Sequence, residues 1–365
     1  MLINILLPYK EKFSKNKASS VSLTVANNLQ FSKYKKQIRV FGHNLKDPMY
    51  KDNFVGIDNS WNLLKSKNEN IAQEMCKVIN NEQNIRQLIE IHNRPYLVNK
   101  IYSKIKSTNL ITLFLHNDPL EMKGSFSIYD RKKLLLRLDK IFCVSNYIKK
   151  RFLDGIKDDL DKVVVLYNGV IRSQKVMPKK LKQIIYVGRI VKEKGVDLFV
   201  EAIKEIYKDF KDWNFKIIGT PRLGINKLDQ FSRKIKHDFE SLGERAEMLG
   251  FVNSEDLRHI MSETSIIVIP SKWNEPFGLV AAEAMSNGIA IVSSNSGGLP
   301  EIISNNGILI DQINSKKISK NLKQILSNTS MLKELQKKSW ENFNFNSKKI
   351  SSILDDHRKE LFFKN

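Results

Sequence analysis

Short apolar runs rich in β-branched residues recur along this chain of 365 residues, each separated from the next by a segment of helix length, and that alternation constrains the fold most. The first series comprises Leu2–Leu7, Gln37–Gly42, Leu88–His92, Ile111–His116, Lys140–Ser145 and Lys162–Tyr167. The second comprises Ile184–Gly188, Phe215–Gly219, Ser265–Pro270, Ile289–Ser293 and Gly307–Ile310. Such runs read as strands buried on both faces, the condition of a parallel sheet covered by its own crossover helices. Two series predict two doubly wound α/β sheets of Rossmann-like type. Between them, Ile171–Lys180 is polar, basic and interrupted by Pro178, and marks the junction. The expected organisation is one domain over residues 1–172, a linker over 173–181, a second domain over 182–345 and a C-terminal helix over 346–365.

Ligands of open α/β sheets collect at the carboxyl ends of the strands, so two such domains in series imply a site in a cleft between them. Composition narrows the class further. With 41% hydrophobic and 27% charged residues, 9 Pro and 16 Gly, collagen-like repetition and general disorder are excluded. Cys76 and Cys143 are too few for a disulfide framework and fit a reducing compartment. No stretch reaches the roughly 20 apolar residues of a membrane span, and the start Met1–Leu7 lacks the features of a signal peptide, so a cytoplasmic location is expected.

The net charge of +22 is uneven. Residues 1–180 carry 33 Lys/Arg against 16 Asp/Glu, whereas residues 181–365 carry 28 against 23. The first half therefore suits an anionic partner, either a membrane surface or nucleic acid, unless the excess reflects Lys-rich codon usage alone. Arg131–Lys140 reads as a basic amphipathic helix for an anionic lipid surface, with the alternative that Leu134–Leu136 belong to the core.

The most specific segment is Ser271–Met285, which follows a strand and leads into a helix. Pro276 suits the first helical turn, Ala281–Met285 are good helix formers, and Gly288 suits the end. Free N–H groups around Phe277, Gly278 and Leu279, with the positive end of the helix dipole, would make an anion site. Glu275 and Glu283 flank it, about 12 Å apart if the segment is helical. Carboxylates accept hydrogen bonds from sugar hydroxyls, so a phosphate site with a carboxylate on each side points to a nucleotide sugar. Arg189 and Lys194 lie just after the strand ending at Gly188, where cations oppose the charge on a departing diphosphate. His116 closes a first-domain strand and faces the expected cleft, as do His92 and Asn93 with a weaker signal.

The stretch Glu275–Glu283 resembles the Glu-x7-Glu motif of the retaining glycosyltransferases of family 4, which have the GT-B fold, including members of lipopolysaccharide and surface-glycan biosynthesis. Further matches follow in order: Ile91–Pro95, His116–Pro119, Val144–Tyr147, Tyr167–Val170, Gly188-Arg189 with Lys194-Gly195, and Ser296–Glu301. The resemblance implies a first domain for a glycan or lipid-linked acceptor, a second for a nucleoside-diphosphate sugar, and a final helix returning to the first domain. It assigns Glu275 to donor sugar hydroxyls, Glu283 to the ribose, His116 to the region of the reacting carbon, and Arg189 and Lys194 to the leaving diphosphate. Gly188 and Pro276–Leu279 complete its donor site, with backbone N–H groups from Phe277, Gly278 and Leu279.

Two positions depart from the family pattern. The loop Ser14–Ser20 lacks the usual paired glycines, although N–H groups of Ala18 and Ser19 at a helix start can still meet a phosphate or sugar. Ile171 stands where Asp is common, and no functional reading attaches to it. No dinucleotide, P-loop or Cys/His metal motif is present, and Asp159-Leu160-Asp161 sits in a charged turn, so neither a cofactor nor a metal is expected. The rival readings are a sugar-nucleotide epimerase or phosphorylase of the same fold and a basic membrane- or nucleic-acid-binding protein. The latter leaves the ordered motifs unexplained, and no RNP pattern, zinc knuckle or arginine-rich arm supports nucleic acid.

Overall fold

The computed structural model describes residues 2–15, 18–58, 65–82, 85–157, 159–221 and 227–363, and the two series of apolar runs form two separate parallel sheets. The first holds β1 (Leu2–Leu6), β2 (Ile38–His43), β3 (Phe54–Ile57), β4 (Gln87–His92), β5 (Leu110–Leu115), β6 (Lys140–Cys143) and β7 (Val163–Val165), in the order β3-β2-β1-β4-β5-β6-β7. The second holds β8 (Leu181–Val187), β9 (Asn214–Ile218), β10 (Ala246–Gly250), β11 (Thr264–Ile269), β12 (Ala290–Ser294) and β13 (Ile308–Ile310), in the order β10-β9-β8-β11-β12-β13. Strands β3 and β10 were not expected. Both are edge strands, each covered on one flank only, so Phe-Val-Gly-Ile and Ala-Glu-Met-Leu-Gly lack a full apolar run.

The chain divides into two compact units, Met1–Gly169 with Ser347–Asn365, and Val170–Asn346. Each has its own core. In the first, Ile3, Ile5 and Val40 pack with Val25 and Leu29 of the helix Ser20–Phe31, and in the second Phe199, Phe215 and Phe239 pack beneath β8 and β9. The segment 171–180, expected as a linker, belongs to the second unit. The Arg172 guanidinium lies 3.9 Å from the Trp340 ring centroid and donates to the Trp340 carbonyl at 2.6 Å, while Lys180 Nζ donates to the carbonyls of Ser262 and Asn287.

The expected basic helix is also corrected. It runs over Ile128–Arg137, and Arg131 is buried, donating to the carbonyls of Ser125, Phe126 and Asp154. Lys140 lies in β6 and pairs with Glu360 at 2.9 Å. Leu134 and Leu135 are core residues, and only Leu136 of the three is exposed. Two of its cations, Arg131 and Lys140, thus satisfy groups inside the protein, while Lys132 is exposed and Lys133 and Arg137 are half-buried.

The C-terminal helix Ser347–Phe363 is part of the first unit and packs on the helix Ser20–Phe31, where Ser351 Oγ donates to the Asn28 carbonyl at 2.8 Å. Its anchor is Arg358. Both Arg358 and Glu90 are 1% exposed, and the guanidinium donates to the two carboxylate oxygens of Glu90 at 2.8 Å each. Arg358 also bonds Asp355 at 3.0 Å, and Asp355 accepts from Ser32 Oγ and the Lys33 N–H. Each of the three charged groups is therefore hydrogen-bonded and the one cation serves both carboxylates, the condition under which buried ions are tolerated. Arg358→Met strands two buried carboxylates and is expected to destabilise the first unit by about 3–5 kcal/mol. A urea midpoint close to that of the parent chain would refute this account.

Candidate active site

In the second unit, β11 runs into a loop over residues 270–278 and then the helix Leu279–Ser286. Pro276, expected within the first helical turn, lies in the loop instead. Gly278 is the N-cap, with φ +97°, and this left-handed residue breaks the helical path between Pro276 and Leu279. A Cβ there would also stand 2.5 Å from Leu299 Cδ2. The axial rise used to separate Glu275 from Glu283 therefore does not apply.

The loop is clamped from below by residues 296–298. Gly298 N–H donates to the Glu275 carbonyl at 2.6 Å, Ser296 Oγ donates to the Trp273 carbonyl at 3.2 Å, and a Cβ on Gly297, φ +60°, would lie 2.3 Å from the Glu275 carbonyl oxygen. Phe277 is buried edge-on against Phe345, which fixes the backbone beside it. The N–H groups of Ala281 and Ala282 both return to the Gly278 carbonyl. Those of Gly278, Leu279 and Val280 have no acceptor among the described residues, so three donors are open at the positive end of the helix dipole.

Glu275 and Lys194 meet directly. Lys194 Nζ donates to Glu275 Oε1 at 2.5 Å, and Ser271 Oγ donates to the same oxygen at 2.8 Å. The Lys194 ammonium also sits 5.4 Å from the Trp273 ring centroid. Glu275 is thus a buried, charge-compensated carboxylate whose Oε2 accepts nothing among the described residues. Lys194 ends the turn Lys192–Lys194, which is tied to the loop by the bond from Lys272 N–H to the Glu193 carbonyl at 2.8 Å. Arg189 is exposed after β8, and its guanidinium has no partner among the described residues. Gly188 spends its N–H on the Ile218 carbonyl at 3.0 Å, so it offers a ligand only its lack of a side chain.

Glu283 lies half-buried on the helix, and burial pushes its carboxyl up to about 7, with Arg258 partly opposing the shift. It is not a solvated surface glutamate.

In the first unit, β4 and β5 are neighbours and end at His92 and just before His116. His92 Nδ1 is 2.9 Å from His116 Nε2, and His92 stacks on Phe114 at 4.4 Å. Asn93, at φ +54°, accepts the His116 N–H at 3.0 Å through Oδ1. Burial lowers the His116 pKa to about 4 and that of His92 well below the usual range, so both rings are neutral. Ser19 caps the helix Ser20–Phe31 by accepting the Ser22 N–H, and Ala18 precedes it, while Asn16 and Lys17 of the same loop lie outside the described residues. Among the described residues no group of three or more His, Cys, Asp or Glu stands close enough to hold a metal ion.

The family described as Glycosyl transferases group 1 matches residues 169–341, which is the second unit almost entire. An uncharacterized glycosyltransferase of Methanocaldococcus jannaschii is 30% identical over 265 residues, covering 70% of this chain and 71% of the relative. The chain belongs to the group 1 glycosyl transferases. The transferase is also 27% identical to spore coat protein SA of Bacillus subtilis over 275 residues, 68% of this chain and 71% of that protein. Its fold is GT-B, shared with solved chains along nearly the whole length. HepE of Anabaena, solved in complex with UDP and glucose, aligns with a TM-score of 0.75 at 15% identity, covering 98% of this chain and 99% of that one. The sucrose-phosphate synthase of Thermosynechococcus elongatus aligns with a TM-score of 0.77 at 17% identity, covering 100% of each.

Three residues that contact the candidate side chains of their own unit carried little or no signal in the sequence. Ser271 and Trp273 border Glu275 within a motif whose glutamates drew the attention, and His92 acquires its role only through its bond to His116. The repeated His-Asn after two adjacent strands was the available clue.

The raised pKa of Glu283 has a consequence with a definite sign. Its folded carboxyl takes up a proton near 7 and an unfolded one near 4.5, so the folded state binds more protons in that window and stability falls as pH rises through it. Glu283→Gln is expected to remove this slope, gaining ~1–3 kcal/mol over the parent enzyme above pH 7 and nothing at pH 4. Parallel pH–stability curves for the two proteins would contradict it.

Proposed function

We propose that the enzyme transfers a hexosyl group, with retention of configuration and without a metal, from a nucleoside-diphosphate sugar to a glycan or lipid-linked acceptor of cell-envelope polysaccharide or lipopolysaccharide biosynthesis. The observation that carries this reading is the compensated Glu275–Lys194 pair beside three open N–H groups at a helix start. Glu275 Oε2 then takes a donor sugar hydroxyl, and Lys194, already neutralised, keeps two further N–H bonds for phosphate. The N–H groups of Gly278 and Leu279, with the backbone at Phe277, cradle the diphosphate, and Glu283 takes the ribose hydroxyls. Ala18 and Ser19 are assigned to the same donor, and His116 to its sugar end.

Chemically, the bond from the anomeric carbon to the diphosphate breaks while the acceptor oxygen bonds to that carbon on the same face. The leaving phosphate oxygen receives the acceptor proton. Negative charge grows on the diphosphate, and Arg189, Lys194 and the helix N-terminus oppose it in place, which is how preorganised donors lower a barrier. This assigns the charge stabilisation to the chain's own groups.

The test is a thermal-shift panel of UDP-, GDP- and ADP-sugars on the parent chain and Glu283→Ala. Binding at one hundred times Kd stabilises by about 2.7 kcal/mol, so one nucleotide class should raise Tm and the variant should lose the effect. Turnover with that donor should persist in EDTA and yield the α-linked product by NMR. A folded chain that answers to no nucleotide sugar, or a β-linked product, would refute the reading.

Peripheral attachment to the cytoplasmic face of a membrane belongs to the same proposal. No described helix is long and apolar enough to cross a membrane, but Phe126, Ile128 and Tyr129 stand exposed together at the start of the helix Ile128–Arg137, in the more basic half of the chain. Apolar side chains beside basic charge suit an anionic bilayer surface. Cosedimentation with vesicles containing anionic lipid should fall in Phe126→Ser/Tyr129→Ser, and equal binding to neutral vesicles would remove this part.

A further inference from the structure

His92 and His116 end adjacent parallel strands, with ring centroids 5.2 Å apart and an interplanar angle of 17°. The 2.9 Å separation of His92 Nδ1 and His116 Nε2 requires one nitrogen to donate and the other to accept, since both rings are neutral. Two arrangements satisfy the pair. If His116 donates from Nε2, the remaining proton of His92 sits on its own Nε2. If His92 donates from Nδ1, its Nε2 is a bare lone pair and His116 carries its proton on Nδ1.

The choice is decided at His92 Nε2, which is buried and has no partner among the described residues. A buried N–H with no acceptor forfeits about 1–3 kcal/mol, and orphaned donors are rarer in folded proteins than under-used acceptors. The charge of Arg358, anchored against Glu90 on the same strand, further disfavours the cationic form of this ring and keeps it neutral. His116 is tied at its backbone as well, by Asn93 Oδ1, leaving its Nδ1 as the ring atom open to a ligand.

We propose that His92 is a positioning residue that locks His116 as the Nδ1–H tautomer, so that His116 meets the donor as a hydrogen-bond donor to a hydroxyl or phosphate oxygen and not as a base. This rests on the reading that His116 serves the transfer site. The tautomer itself is independent of that reading, because it follows from the first unit alone.

The experiment is a long-range proton–nitrogen NMR correlation on the full chain labelled at histidine, assigned with His116→Gln. His116 should show a protonated, pyrrole-type Nδ1 and a pyridine-type Nε2, and the reverse pattern overturns the proposal. His92→Ala removes the donor and leaves room for water, which accepts from an N–H, so His116 should pass largely to the Nε2–H form, with kcat reduced about tenfold and KM unchanged. His92→Asn, whose amide places an N–H near the lost Nδ1, should restore both tautomer and kcat. A parent-like tautomer in His92→Ala overturns the lock, and a shifted tautomer with parent kcat overturns the positioning role. In that last case full activity of His116→Gln as well would trace the failure to the placement of His116 in the site.

Discussion

Every strand pair in both sheets is parallel, and that one constraint governs where chemistry can occur. In a parallel sheet all strands end on the same edge, so loops from distant parts of the sequence gather there, next to helix N-termini with unpaired N–H groups. Within the second unit the loop after β11 and the turn after β8, and within the first the ends of β4 and β5, owe their proximity to strand order and not to sequence distance. Parallel strands also need covering on both faces, which is why the core strands are nearly all apolar and why polar groups within them must be matched one by one.

The first unit shows what such matching requires. Glu90 lies in the middle of β4, where a carboxylate is costly, and it is tolerated because Arg358 reaches it from the C-terminal helix with two parallel bonds. The same contact brings the last 19 residues back to the first unit and sets a positive charge near His92. Structural anchoring and site electrostatics thus share one arginine.

The second unit solves a different problem. A buried carboxylate needs a counter-charge, and the Lys194 contact supplies it while leaving one oxygen of Glu275 open. The left-handed residues Gly278 and Gly297 hold the loop in the shape that allows it, since a side chain at either would collide with its neighbours. Glu283 lacks such a partner and answers burial by holding its proton to higher pH. Two glutamates eight positions apart in one motif therefore come to sit in different environments, one with a lysine bonded to it and one raised by burial.

Much of this was legible in the sequence. The eleven apolar runs fell on eleven of the thirteen described strands, the ordered motifs pointed to a glycosyltransferase of GT-B fold, and Glu275, Arg189, Lys194 and His116 lie in the segments just after strands, with Glu283 inside the helix Leu279–Ser286. These are local properties: hydrophobic period, turn residues and caps act within a few residues of chain. The edge strands β3 and β10 escaped because half-exposed strands carry no apolar run, and Pro276 was misplaced because a left-handed Gly278 is set by its contacts and not by propensity. The basic helix starts three residues earlier than expected, and Arg131 and Leu134–Leu135 turn inward through contacts that no local pattern shows. Only the tertiary structure could pair Lys194 with Glu275 across 81 residues, Arg358 with Glu90 across 268, and His92 with His116 on neighbouring strands. Those pairings set charge and tautomer, and they depend on which groups the fold brings within 3 Å and away from water.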